Sequence, residues 1–202
     1  MTKLVSKKRK VELRAIADWV KEGESVLDLG CGRGILLEEL VKLKNIYAVG
    51  IDSDFEKVVR CVKRGINVIH GDIVGELAAF GDKSFDWIIC SRTLPELADT
   101  DLVIKESLRV AKRVAVGFIN HGFWYNRLYL MLHGERTVNE VFPNSWDKSR
   151  PLNQISISSF KEYCKKNDIK INREHFLKGD WRSSCGFAPN LMAGYALFEI
   201  SK

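Results

Sequence analysis

Residues 26–34, VLDLGCGRG, followed by GID at residues 50–52, constrain what this chain can fold into more than any other stretch. An apolar run carrying Asp28 reads as a buried strand, glycines 30, 32 and 34 make a turn, and an apolar helical pattern opens at Ile35. Strand, tight turn and helix in that order begin a parallel α/β sheet. Residues without side chains let the backbone approach a ligand closely, and the free N–H groups at the helix start attract negative charge. The turn therefore suits a nucleoside cofactor, the alternative being a glycine-rich turn with no ligand. A dinucleotide fingerprint requires G-x-G-x-x-G, and Ile35 stands where its last glycine belongs, which weakens a nicotinamide reading.

The rest of the chain keeps the alternation of strand and helix that a parallel sheet covered on both faces requires. Val11, Ala15, Ile16, Trp19 and Val20 share one face of a helix over residues 11–21, ahead of a strand at 25–29. A helix is expected from Ile35 to about Leu43, a strand at 46–51, and a helix ending before Gly65 whose start is a capping box of Ser53 and Glu56. Further strands are expected at 66–70, 85–90 and 114–119, with a helix at 102–110 before the last of these. Residues 120–157 differ in character: an aromatic-rich helix containing Phe123, Trp124, Tyr125, Leu128, Tyr129 and Leu132 stops at Gly134, and a polar stretch with Trp146, Asp147, Arg150 and Pro151 follows. This segment reads as a lid inserted over the carboxyl edge of the sheet, where ligands bind in such folds. Ser159 and Glu162 are expected to cap a helix ending near Asn167, before strands at 169–176 and 194–200 joined by a loop holding Trp181, Arg182 and Cys185.

With 202 residues, the chain is long enough for one α/β domain over residues 1–202 and too short for two full ones. No apolar span is long enough to cross a membrane, and the basic residues 1–10 lack the apolar stretch of a signal peptide, so a cytoplasmic protein with a solvated basic tail is expected. The five cysteines lie far apart without a CxxC, and the four histidines show no ligand spacing, so neither a disulfide framework nor a metal site is expected. A net charge of +6 permits an acidic partner, nucleic acid included, without demonstrating one.

The GxGxG turn after a strand acid resembles motif I of the class I S-adenosylmethionine-dependent methyltransferases. GINVIHGDI at 65–73, KSFDWIICSRTLPEL at 83–97, ESLRVAKRVAVGFIN at 106–120 and HGFWYNRLYLMLHG at 121–134 extend the resemblance over nearly the whole chain, to the methionine-biosynthesis MetW family. The chain departs from the usual family pattern at Arg92, Ile119, Lys148 and Gln154. The resemblance implies a Rossmann-like class I fold, mainly parallel and seven-stranded, closed by a C-terminal antiparallel hairpin. It also implies S-adenosylmethionine as cofactor with S-adenosylhomocysteine as product, and a link to the homoserine O-acetyltransferase step.

Carried over residue by residue, Asp28 organises the loop and the methionine amine; Gly30, Cys31, Gly32 and Gly34 bring backbone to the cofactor; Asp52 accepts from the ribose hydroxyls, with Ser53 beside it; and Asp72, flanked by Ile73, meets the adenine. Ser91 and Arg92 lie beside the sulfonium methyl, where the arginine can pair with the methionine carboxylate or with an acidic acceptor, a surface ion pair being its alternative. Methyl transfer from a sulfonium is an in-line displacement that alignment can drive, so few catalytic residues are needed. His121 is the candidate base by position, with a structural role at a strand end as its alternative; Trp124, Tyr125, Arg127, Trp146 and Arg150 either shape the acceptor pocket or pack the lid. SRTL stands after the fourth strand in place of the D/N-P-P-Y of amino-adenine methylases, and the Pro-Cys pair of cytosine methylases is absent, which disfavours nucleobases as acceptors. Three functions are carried forward: methyl transfer to a small molecule, an accessory role beside homoserine O-acetyltransferase, and an RNA-directed methyltransferase that uses the basic tail.

Overall fold

In the computed structural model, which describes residues 7–135, 137–138, 153–179 and 181–202 with side chains from Val11 onward, the apolar strand around Asp28 lies mid-sheet. The elements run α1 (Lys7–Trp19), β1 (Ser25–Leu29), α2 (Ile35–Lys44), β2 (Tyr47–Asp52), α3 (Phe55–Val62), β3 (Asn67–His70), α4 (Ile73–Ala79) and β4 (Phe85–Ser91). There follow α5 (Thr100–Val110), β5 (Ala111–Ile119), α6 (Trp124–His133), α7 (Ile157–Lys166), β6 (Lys170–Lys178), α8 (Pro189–Met192) and β7 (Ala193–Ser201). The strands form one seven-stranded sheet in the order β3-β2-β1-β4-β5-β7-β6. Pairings from β3 through β5 are parallel, whereas β7 runs antiparallel to both β5 and β6. The chain winds outward from β1 in one direction and from β4 in the other. The carboxyl ends of these two neighbours thus flank the crevice where ligands bind in open α/β sheets.

Each face of the sheet has its own apolar layer. On one, Leu13, Ile16 and Trp19 of α1 join Leu36, Leu37 and Leu40 of α2 against Val26, Trp87, Ile89, Ala115 and Leu197. On the other, Leu77 of α4, Val103, Ile104 and Leu108 of α5 and Phe160 of α7 cover Leu27, Ile88, Val116 and Phe198. Burial on both faces explains why β4 and β7 carry near-continuous apolar runs instead of an alternation.

Several local expectations are corrected. The helix after β2 is capped by Asp54, whose carboxylate accepts from the Glu56 and Lys57 N–H groups, and not by Ser53. Ser156, paired reciprocally with Ser159, caps α7, so that helix begins three residues before the expected Ser159–Glu162 box. α4 was not expected: Asp72 closes its amino end by accepting from Val74 and Gly75 N–H groups, so the acid after β3 starts a helix. α1 begins at Lys7, not Val11, so the last residues of the expected basic tail are helical backbone.

Residues 120–157 leave and rejoin the fold at the carboxyl edge. Asn120, fully buried at the end of β5, donates to the Ala193 and Asn190 carbonyls and accepts from the Gly122 and Ile157 N–H groups. Asn153 rejoins against the turn that leaves β4, its N–H on the Pro95 carbonyl and its side chain donating to that of Leu97.

Candidate functional site

The glycine turn is tied to the neighbouring strand before any ligand is considered. Gly30 and Cys31 N–H groups both donate to the Ile51 carbonyl, at 2.8 and 3.0 Å. Gly30, Gly32 and Gly34 all have positive φ, at 70°, 62° and 70°, which is left-handed backbone that a side chain would strain. Their surroundings differ. A Cβ on Gly30 would meet Thr93 Oγ1 at 2.5 Å and one on Gly34 would meet Cys61 Sγ at 3.0 Å, whereas at Gly32 nothing lies within 4 Å. Gly32 is thus the glycine that offers bare backbone to open space, while the other two admit close packing of the protein against itself.

Asp52 completes this half of the site. One oxygen accepts from the Gly32 N–H at 2.8 Å and the other from the Asp54 N–H at 3.0 Å, with Lys57 Nζ 3.7 Å from the latter. A carboxylate offers about four acceptor positions. Asp52, 6% exposed, therefore retains capacity for a ligand with adjacent hydroxyls. Asp28 is buried at the end of β1, level with Gly50 and Ile89 of the flanking strands. Burial, reinforced by the Asp28 charge, pushes the Cys31 thiol far up, and burial does the same to Cys90, to about 12. These thiols stay protonated and are poor nucleophiles.

On the adenine side of the expected site, Ser53 is exposed and its carbonyl meets His70 Nε2 at 3.1 Å. Asp72 is exposed with its Oδ2 engaged in capping α4, and Ile73 packs into the core at 7% exposure, leaving little side-chain surface for a ring.

Across the crevice, the exit from β4 gathers residues from distant parts of the chain. Thr93 donates to the Leu29 carbonyl at 2.9 Å and so bolts the β4 exit to the glycine turn. Arg92 has a left-handed backbone, φ 65°, and its N–H donates to the Gly117 carbonyl at 2.7 Å. Its side chain reaches Glu12 of α1 through Nε at 2.9 Å and Nη2 at 2.8 Å, and lies over the Trp181 ring at 4.6 Å. The other Glu12 oxygen accepts from Tyr195 at 2.7 Å and from Ser91 Oγ. Glu12, Tyr195 and Trp181 are at most 2% exposed. Burial first, and the Glu12 charge second, hold the Tyr195 phenol well above its ordinary value, so it remains a donor. Ser91 and Arg92, expected beside the cofactor, thus meet a buried carboxylate that sequence reasoning missed. Its only signal was an acid set between Val11 and Leu13 on the apolar side of α1.

His121 follows β5, half-buried, its N–H on the Ile155 carbonyl. Trp124, Tyr125 and Arg127 lie on α6, which has no buried residue, and all three are exposed. Trp146 and Arg150 lie outside the described residues. Among the described residues no cluster of three or more His, Cys, Asp or Glu side chains could hold a metal ion, and no helix is long and apolar enough to cross a membrane.

Residues 10–200 match the family model described as Methionine biosynthesis protein MetW. A bifunctional methionine biosynthesis protein MetXA/MetW from Rhodopirellula baltica is 28% identical over 168 residues, covering 73% of this chain and 27% of that protein. The chain spans about a quarter to under half the length of the curated relatives it matches. Among solved structures, an S-adenosylmethionine-dependent methyltransferase from Archaeoglobus fulgidus superposes with a TM-score of 0.69 at 15% identity, over 96% of this chain and 93% of that one. Magnesium protoporphyrin IX methyltransferase from Synechocystis PCC 6803, solved with bound SAH, gives 0.65 at 15% identity over 96% and 82%. The sheet order, the terminal antiparallel hairpin and these superpositions make the fold that of the Rossmann-like class I methyltransferases.

Proposed function

The chain belongs to the MetW family, and from that premise we propose that it binds S-adenosylmethionine and transfers its methyl group to a small-molecule acceptor, releasing S-adenosylhomocysteine. The observation that carries this reading is the pairing of Gly32, open and left-handed, with Asp52, whose carboxylate is fixed by two backbone N–H groups and keeps acceptor capacity. A nucleoside with vicinal hydroxyls fits that arrangement. Asp28 and the glycine turn would hold the methionine half, Asp52 the ribose, and the surface around Ser53 and Asp72 the adenine. When bound, the sulfonium supplies an electrophilic methyl; the protein's part is to align the acceptor and exclude water, with residues 120–157 as a lid and His121 as the candidate base. Turnover of labelled S-adenosylmethionine with fractionated metabolite pools tests the reaction. Label that never leaves the cofactor would count against it.

Asp52→Ala is expected to weaken S-adenosylhomocysteine binding by about 1.5–3 kcal/mol, through loss of charge-assisted contacts to the ribose. It also frees the Gly32 N–H that Asp52 holds in place. Calorimetry reads the effect, with circular dichroism to verify folding; unchanged affinity in a folded variant would remove Asp52 from the site.

A second reading, as an accessory protein acting with homoserine O-acetyltransferase, draws support from α6. Trp124, Tyr125, Leu128, Met131 and Leu132 are each at least 40% exposed on one short helix, and aromatic surface of that kind is what protein interfaces bury. The Rhodopirellula relative, whose name joins MetXA and MetW in one bifunctional protein, fits the same idea. Here Trp124→Ala or Tyr125→Ala should weaken a complex with that acetyltransferase at least tenfold by sedimentation, while S-adenosylhomocysteine affinity stays within about twofold. No complex at micromolar concentrations, alongside methyl transfer to a metabolite, would leave the methyltransferase reading alone.

A further inference from the structure

Among the described residues, Arg92 is held in a way that leaves half of its fork without a partner. A guanidinium presents two edges with parallel N–H groups, a side edge formed by Nε and Nη2 and an end edge formed by Nη1 and Nη2. Glu12 takes the side edge through a single oxygen, at 2.9 and 2.8 Å. Trp181 lies against the flat face at 4.6 Å. No described residue hydrogen-bonds Nη1, and the side chain keeps 30% of its surface in contact with solvent. The group is therefore oriented on one edge and one face, and among the described residues its end edge has no partner. Glu12 does not exhaust it, because the carboxylate's other oxygen is shared by Tyr195 and Ser91.

The position says which molecule would use that edge. Thr93, the next residue, touches the glycine turn on the β1 side of the crevice, through the Leu29 carbonyl. The Arg92 side chain goes the other way: its partners are α1, Tyr195 of β7 and Trp181 of the β6–β7 loop, and its backbone N–H is held by Gly117 of β5. Gly32 and Asp52 lie across β1 from it, on the β2 side.

From this we infer that the end edge of Arg92 binds a carboxylate, and that the carboxylate belongs to the methyl acceptor and not to the cofactor. The inference rests on the methyltransferase reading above. A planar monoanion matches two parallel N–H donors in a bidentate contact. With the Glu12 charge alongside, a single negative charge is accommodated better than the double charge of a phosphate monoester. The acceptor class is thus a small carboxylic acid.

Two measurements on the full chain decide it. In the first, sodium acetate is titrated into the protein loaded with S-adenosylhomocysteine while the Arg92 guanidinium NMR signals, assigned by their loss in Arg92→Gln, are followed. A saturable shift that sodium chloride at equal ionic strength does not produce is expected, and acetate that behaves like chloride would overturn the carboxylate site. In the second, S-adenosylhomocysteine and 5′-methylthioadenosine, which lacks the amino-acid half, are bound to wild type, Arg92→Gln and Arg92→Lys. Affinities within about threefold of wild type are expected for both ligands. A tenfold or greater loss for S-adenosylhomocysteine alone would assign the edge to the cofactor's carboxylate and overturn the acceptor assignment. Arg92→Lys keeps the charge without the fork, so it controls for variants that fold poorly. Failure of the wild type to bind S-adenosylhomocysteine would instead sink the methyltransferase reading, and the acetate titration of the unliganded chain would still judge the Arg92 site.

Discussion

Glu12→Ala is expected to destabilise the protein by about 3 kcal/mol, the low end of the 3–5 kcal/mol that follows when one partner of a buried ion pair is removed. Glu12 is 1% exposed and collects Arg92, Tyr195 and Ser91 on its two oxygens. Its removal leaves the Tyr195 hydroxyl, in a residue 1% exposed, without its carboxylate acceptor, and the Arg92 guanidinium without its counter-charge. Arg92 can turn partly to water, because 30% of its side chain is exposed, which is why the low end applies. Glu12→Gln keeps an acceptor oxygen for Tyr195 and should cost less. Urea unfolding reads both variants, and a loss below about 1 kcal/mol for alanine would mean that the cluster contributes little to holding α1 on the sheet.

Gly30→Ala is expected to cost about 2–5 kcal/mol, combining left-handed backbone at about 1–2 kcal/mol with overpacking at about 1–3 kcal/mol. The added Cβ would sit 2.5 Å from Thr93 Oγ1 and 2.7 Å from its Cγ2. Thr93 cannot easily turn away, since it is β-branched and its hydroxyl is engaged by the Leu29 carbonyl. Gly32→Ala has the same backbone conformation but nothing within 4 Å, so about 1–2 kcal/mol is expected, with the larger consequence falling on cofactor affinity. A double-mutant cycle separates the terms: Thr93→Ala should recover part of the loss in Gly30→Ala and none of that in Gly32→Ala. Equal losses at the two glycines would show that the Thr93 contact is not what requires Gly30.

Legible from the sequence were the features set by neighbours along the chain. The apolar strand around Asp28, the glycine turn at 30–34, the acid closing β2 and the alternation of strands and helices all express backbone and burial preferences over a few residues. Two of the boundaries that went astray were capping choices within such windows. At Ser53 versus Asp54, and at Ser156 versus Ser159, two polar side chains within three residues of each other could each close the same helix, and the path of the incoming chain selects between them. Asp72 shows the same competition from the other side, since a residue expected to meet a ligand spends one oxygen on the amino end of α4.

Only the tertiary structure decided what stands across the crevice from the glycine turn. Glu12 meets Ser91, Arg92 and Tyr195 at separations of 79, 80 and 183 residues, and no periodicity or spacing encodes such a meeting. It arises because β7 inserts between β5 and β6, which brings Tyr195 beside the end of β5, while α1 packs back across β4 and β5. The three glycines likewise look alike in sequence, yet packing makes Gly30 a contact for Thr93 and Gly32 a stretch of open backbone. Local stereochemistry was enough to specify the left-handed glycine turn between β1 and α2. Which charges surround it depended on how distant segments were forced together when both faces of the sheet were buried.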